Sequence, residues 1–394
     1  MPVDELAAVL GADSPIGLTV IRELGRHGVP VVALGKSALS IGRHSRYAKG
    51  FSIIGKPLAD WLPGFVAKKR ITAIMAISEH QLVELSLLAP RLEGCTVLCP
   101  PPDKLALVLD KRRTLEIAAR LGMNVPDSWQ PDDPGTFEVH AARLAYPVAV
   151  KWPEPGAVMG ALATAGLAWE KVEYADGPEA LLGILHRYDR IGTWPLVQTW
   201  CAGYGLGQML HMQDGRATLR FQHRRLREWP PTGGVSSLST TVPLALHAEQ
   251  MARSEALLRE IGWSGPAMVE YRYNPDTGSY WLMEVNGRFW GSLPLASSSG
   301  AEFAWELYRR FARGDRSEAP TPLKPRRARF MAPDMKHLVA QWRGGSLSPG
   351  RKLKLSAQFL AEFFNPRTEY YVWNWRDPMP LLGDLIDSIR RRLR

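Results

Sequence analysis

Three side chains close together in the sequence are well suited to chemistry: Glu270, Glu284 and Asn286. Met268–Tyr273 and Tyr280–Asn286 both read as strands, and Asn274-Pro275-Asp276-Thr277-Gly278-Ser279 between them has turn composition. Folding this hairpin about residue 276 or 277 sets Glu270 opposite Glu284, to within one residue of register. The two-residue period of a strand puts Leu282, Glu284 and Asn286 on one face and Trp281, Met283 and Val285 on the other. Like charges across an antiparallel pair are destabilising, so two opposed acids among bulky apolar neighbours call for a counter-charge. Mg²⁺ would supply one, taking carboxylate and amide oxygens at about 2.1 Å and keeping other positions for water and phosphate oxygens. A hairpin with its polar face in water accounts for the same pattern. Arg288, two residues past Asn286, adds a fixed cation to that face, where it could hold a carboxylate or acyl phosphate bidentately.

The first hundred residues must position part of any such site. Ala7–Leu10, Val29–Leu34, Ile71–Ile77 and Thr96–Cys99 read as short strands, with helical spacing in Ile16–Gly25 and Gln81–Leu88. This β-α-β alternation predicts a parallel sheet with helices on its faces. The first turn, Gly11-Ala12-Asp13-Ser14-Pro15-Ile16-Gly17, lacks the middle glycine of a dinucleotide fingerprint, and no acid closes the second strand at Leu34-Gly35-Lys36. A turn that makes the fold or touches a small anion is the better reading. Pro100-Pro101-Pro102 marks a boundary, after which one helix is predicted from Asp103 to Gly122. Tyr146–Lys151 and Pro195–Trp200 follow as strands. Gln208–Met212 and Ala217–Gln222 flank a hairpin turn at Gln213-Asp214-Gly215-Arg216. The division expected is 1–102, 103–305 and 306–394, an α/β part followed by an α+β part and a C-terminal extension.

At 394 residues the chain is too long for one ordinary core. Its hydrophobic and charged fractions, 45% and 22%, are those of a soluble globular protein rather than a disordered one. Residues Met1 to Gly11 lack the basic leader of a signal peptide, and no run nears the roughly 18 apolar residues of a membrane span. Cys95, Cys99 and Cys201 provide no disulfide framework or zinc spacing, so reduced, packed thiols and a cytoplasmic location are expected. The net charge of +10 is uneven: +9 lies between Lys324 and Arg394. There, Leu381 to Arg394 shows helical spacing and ends in Arg390, Arg391, Arg392 and Arg394. Such a helix could pack on the core, lie peripherally on an anionic membrane at the inner face, or bind a polyanion.

Met283-Glu284-Val285-Asn286-Gly287-Arg288 resembles the E-x-N-x-R motif of the ATP-grasp superfamily, which includes biotin carboxylase and the large chain of carbamoyl phosphate synthetase. The resemblance spans about residues 1 to 300 and is closest to bacterial carboxylate–amine ligases. It implies an ATP-grasp fold with an N-terminal Rossmann-like pre-ATP-grasp domain. Glu270, Glu284 and Asn286 would then hold Mg²⁺ (or Mn²⁺) bridging the phosphates of ATP, and Arg288 would stabilise the transferring group. Lys111 and Lys151 match the family's phosphate-contacting lysines. Gln198-Thr199-Trp200 matches the adenine-reading hinge, with Gln198 where Glu is usual. No acid follows the hinge, so the ribose contact is unassigned. In the basic run His223-Arg224-Arg225-Leu226-Arg227-Glu228, the positions carried over are Arg225 and Glu228. That run also suits a solvated edge strand.

The implied chemistry is activation of a substrate carboxylate as an acyl phosphate, followed by attack of an amine or a thiol. The loop Glu228–Ser237 could close over the γ-phosphate. The implied partners are small-molecule carboxylates and amines, with a homodimer possible and no specific nucleic acid. A nicotinamide-dependent oxidoreductase and a non-catalytic basic binding protein of the same fold are the alternatives.

Overall fold

The computed structural model describes residues 5–153, 155–170, 172–231, 233–318, 322–344 and 347–392. Met1 to Asp4, Thr232 of the expected closing loop and Arg394 of the expected basic end lie outside them. The chain forms two compact units, the first of Met1–Ile117, Gly205–Glu270 and Glu284–Arg394, the second of Ala118–Tyr204 and Tyr271–Met283.

The first unit opens with five parallel strands: β1 (Ala7–Leu10), β2 (Val31–Gly35), β3 (Ala48–Ile53), β4 (Ala73–Ala76) and β5 (Thr96–Val97), in the order β3-β2-β1-β4-β5. β1, β2 and β4 are buried throughout, as unbroken apolar runs in a parallel sheet should be. In the first turn Gly11 has φ +100°, a conformation glycine adopts without strain. A Cβ on Gly17 would lie 2.2 Å from the Gly11 carbonyl oxygen, so the helix Pro15–Arg26 can start there only with glycine. Asp13 accepts from Lys36 N at 3.0 Å and from Ser40 Oγ at 2.6 Å, which ties the turn to the loop after β2. The turn thus serves the fold.

The single helix expected from Asp103 to Gly122 is two, Pro102–Leu109 and Lys111–Arg120. Asp110 is extended between them (φ −78°, ψ 95°), and its carboxylate accepts from Arg113 N at 3.2 Å. An aspartate that caps a new first turn competes with continuing the old helix. Lys111 therefore starts a helix instead of lying within one.

The second unit holds β6 (Ser128–Trp129), β7 (Val148–Lys151), β8 (Glu173–Ala175) and β9 (Leu196–Thr199), in the order β6-β9-β7-β8 and antiparallel. Val148, Val150 and Val197 face a core with Phe137, Leu181 and Leu185.

The larger sheet contains β10 (Tyr204–Gln213), β11 (Arg216–Trp229), β12 (Val235–Thr241), β13 (Gly265–Asn274), β14 (Ser279–Asn286), β15 (Arg327–Arg329) and β16 (Thr368–Tyr370). Their order is β14-β13-β10-β11-β12-β15-β16. Asp214 and Gly215 both have positive φ between β10 and β11, the twist a two-residue hairpin needs. β11 has neighbours on both sides, so the basic run is not an edge strand. The expected closing loop is mostly ladder: Glu228 pairs with Ser236 and Trp229 with Val235. Residues 306–394 continue the first unit, because β15 and β16 extend this sheet. The last helix is Met379–Arg392; Leu381 packs on the core, while Leu382, Leu385 and Ile386 are exposed.

Candidate active site

In the first unit, Glu270 and Glu284 come from adjacent strands, β13 and β14. Each has its own cation. Arg225 on β11 forms an ion pair with Glu270, and its Nη1 lies 3.6 Å from Glu228 Oε1. Nη1 also donates to the Gly234 carbonyl at 3.2 Å, so one guanidinium joins the β11–β12 hairpin to β13. Lys111 Nζ lies 3.0 Å from Glu284 Oε2. Asn286 donates through Nδ2 to Glu284 Oε1 at 2.9 Å, which leaves the amide oxygen as its acceptor.

These charges act as one group. Burial works against the Lys111 ammonium, but Glu284, Glu270 and Glu79 outweigh it and hold its pKa above the usual lysine value. Burial likewise opposes the Arg225 cation, and Glu270, Glu228 and Glu284 more than compensate. Both cations thus feel both acids, as side chains converging on one site must. The counter-charge that the opposed acids call for is supplied here by protein cations.

Arg288 is held by Glu79 and by the backbone that follows it. β14 ends at Asn286, so strand alternation no longer governs Arg288. Its Nε donates to Glu79 Oε1 at 2.8 Å and its Nη1 to the Phe289 carbonyl at 3.1 Å. Glu79 is the residue that sequence reasoning missed. It opens the helix Glu79–Leu88 just after β4, with Ser78 as N-cap. Its signal was positional, since ligands of open parallel sheets bind beyond the carboxyl ends of strands.

Behind Arg225, His223 is fully buried, with Nδ1 3.0 Å from Ser292 Oγ. Burial, reinforced by Arg225, lowers its pKa to about 3. It is a neutral packing group.

The second unit carries Lys151, Gln198 and Trp200. Gln198 pairs in register with Ala149, and Val197 with Val150. With Val148, Val150 and Val197 facing the core, alternation puts Lys151 and Gln198 on the opposite face together. Gln198 is buried; Nε2 donates to Ser128 Oγ at 2.9 Å, while Oε1 has no hydrogen-bond partner among the described residues. A buried acceptor of this kind suits a ligand amino group. Trp200 follows the strand, half-exposed, with its backbone N–H donating to the Pro147 carbonyl at 3.2 Å.

Two carboxylates and an amide oxygen are hard donors of the kind Mg²⁺ prefers, and nearby cations suit a metal that arrives with phosphate oxygens. The residues fit such a group. Among the described residues no cluster of three or more His, Cys, Asp or Glu is arranged for a metal, so a metal here would rely on the amide and on its ligand.

No family model matches the chain. A 92-residue stretch is 30% identical to acetyl-CoA carboxylase 2 of Oryza sativa subsp. japonica, covering 23% of this chain and 4% of that protein. The chain thus matches only a small part of the length of that curated relative. Solved structures extend much further. The biotin carboxylase domain of Hydrogenobacter thermophilus 2-oxoglutarate carboxylase, a dimer with MgADP and bicarbonate, is 17% identical with a TM-score of 0.63, over 82% of this chain and 72% of that one. The ADP complex of PurK, N5-carboxyaminoimidazole ribonucleotide synthetase, is 12% identical with a TM-score of 0.64, over 83% and 81%. L-amino acid ligase from Bacillus licheniformis is 15% identical with a TM-score of 0.58, over 78% and 74%. Likeness on this scale, together with the two units and the sheet bearing Glu270 and Glu284, establishes that this chain has the ATP-grasp fold.

Proposed function

We propose that the protein is an ATP-dependent ligase that activates a carboxylate as an acyl phosphate and transfers the acyl group to an amine. The observation that carries this reading is the convergence of Glu270, Glu284 and Asn286 with Lys111 and Arg225. The names of the similar structures support it: they include a carboxylase domain, a synthetase and an amino acid ligase, two of them described with ADP.

In the first unit, Glu270, Glu284 and Asn286 would hold Mg²⁺, which when bound neutralises charge on the phosphates. Lys111 is placed to take a phosphate oxygen by exchanging its contact with Glu284. In the second unit, Lys151 is the other phosphate candidate, and Gln198 with Trp200 the adenine candidates. A carboxylate oxygen attacks the γ-phosphorus, the bond to ADP breaks, and ADP leaves with the electron pair. The amine nitrogen then attacks the acyl carbon, phosphate departs and the amine loses a proton. Positioning and charge are the protein's contribution, since phosphoryl transfer needs little covalent help. Arg225, held by Glu270, Glu228 and the Gly234 carbonyl, is a rigid cation of the kind that task requires.

ADP release from ATP and Mg²⁺ across a panel of carboxylates and amines tests the proposal. Turnover is expected with at least one pair and not in Glu284→Ala; a fully active Glu284→Ala would refute the site.

A further inference from the structure

A cavity of about 300 Å³ lies within the first unit, at the carboxyl ends of β4 and β5. Its walls are mostly apolar, with Leu82, Val97, Leu98, Pro266, Phe289 and Leu307 among them, and Thr96 and Ser264 are uncharged polar members. Cys99 also lines it, and burial pushes that thiol up to about 12, so it stays neutral and adds no charge. Among the described residues that line it, Arg288 is the one that carries a charge. It lies two residues past Asn286, and its partner Glu79 is felt by Lys111 of the candidate site. The backbone is tightly held here: a Cβ on Gly287 would lie 2.4 Å from the Trp263 ring.

We infer that this cavity binds the carboxylate substrate, and that the substrate is a small acid with an apolar tail, its carboxylate on Arg288 and its tail against the cavity wall. This assignment rests on the ligase reading of the adjacent site. A cavity of this size is at the small end of ligand pockets, which are commonly apolar with a few polar groups that fix orientation. A single guanidinium shared with Glu79 suits a monoanion and not a polyphosphate. Against these walls a polar tail would give up more hydrogen bonds to water than Thr96 and Ser264 could replace.

Calorimetric titration decides it. Hexanoate, phenylacetate, succinate and glycolate are titrated into the whole protein, with and without Mg²⁺ and a non-hydrolysable ATP analogue. The analogue itself is titrated first. Hexanoate or phenylacetate is expected to bind at least tenfold more tightly than succinate or glycolate. Val97→Phe, which fills the wall, and Arg288→Met should each weaken that binding at least tenfold, while Val97→Phe leaves analogue affinity unchanged. Leu82→Ala, which enlarges the same wall, should shift preference towards longer acids, and it decides the matter if Val97→Phe fails to fold. Equal or tighter binding of the polar acids, or indifference to the wall variants, overturns the inference. If the analogue does not bind, the ligase reading fails, and the titrations without nucleotide still decide whether the cavity takes apolar acids.

Discussion

Lys111 Nζ lies 3.0 Å from Glu284 Oε2, at the first position of a helix that begins only because Asp110 ends the one before it. The lysine expected on a phosphate is thus parked on a candidate metal ligand, and binding of Mg-ATP must exchange that contact. Lys111→Met should therefore have opposite effects on two ligands. Mg²⁺ alone should bind more tightly, because a competing cation is gone. Mg-ATP should bind at least tenfold more weakly, which corresponds to about 1.4 kcal/mol or more. Titrations of both ligands check this; unchanged affinity for Mg-ATP would contradict the role given to Lys111.

Asp334 braces the strand that carries Arg225 and Glu228. It is fully buried and accepts from Arg227 at 2.6 and 2.8 Å and from Arg329 at 2.6 Å. Nearby, His337 Nδ1 contacts the Glu228 carbonyl oxygen at 2.6 Å, and the Arg329 guanidinium lies 4.0 Å from the Phe359 ring centroid. Asp334→Ala leaves Arg329 buried without its counter-ion, and loss of one partner of a buried pair costs about 3–5 kcal/mol. Denaturant unfolding should show a loss of that order. A loss below about 1 kcal/mol would mean the C-terminal helices do not brace β11.

Two buried histidines set an acid limit. Burial lowers His223 to about 3 and His211 to about 4, against an ordinary value of 6.5. Both are neutral in the fold, whereas the unfolded chain takes up these protons near pH 6.5. Their stabilising contribution is therefore present above pH 6.5 and is lost as the pH falls from there towards 4 and 3. The melting temperature should drop over that range. The drop should be shallower for the His211→Gln/His223→Gln double variant than for the parent; parallel curves would show that these groups do not control it.

Gln198 has a buried side-chain oxygen without a hydrogen-bond partner among the described residues. Gln198→Leu removes an acceptor suited to a ligand amino group, along with one hydrogen bond to Ser128. The expected outcome is an ATP KM raised about tenfold with kcat within about twofold, as for loss of a ground-state contact. A kcat that falls with KM unchanged would remove Gln198 from nucleotide binding.

Much of this was legible in the sequence, for identifiable reasons. The parallel strands are apolar runs between turn residues, and the β13–β14 turn is spelled out by Asn274 to Ser279. What was not legible depended on contacts far apart in the chain. Asp110 lies in an apolar helical pattern, and only its capping hydrogen bond breaks that helix. The strands Arg327–Arg329 and Thr368–Tyr370 are three residues each, too short for periodicity to register; the first pairs with the edge of β12 and the second with the first. Arg288 lies two residues past the end of β14, where strand alternation no longer dictates a side chain's direction. Its partner Glu79 is 209 residues away, and no local pattern relates the two.

If Glu270 and Glu284 hold a metal that carries ATP, the Mg²⁺ dependence of ATP binding must rest on these two carboxylates. Calorimetric titration of ATP into the full chain, with Mg²⁺ and with EDTA, tests it most directly when repeated on the Glu270→Gln/Glu284→Gln double variant. ATP should bind at least tenfold more tightly with Mg²⁺ than with EDTA, and the double variant should lose that difference. Binding that ignores Mg²⁺, or an undiminished Mg²⁺ dependence in the double variant, would contradict the claim.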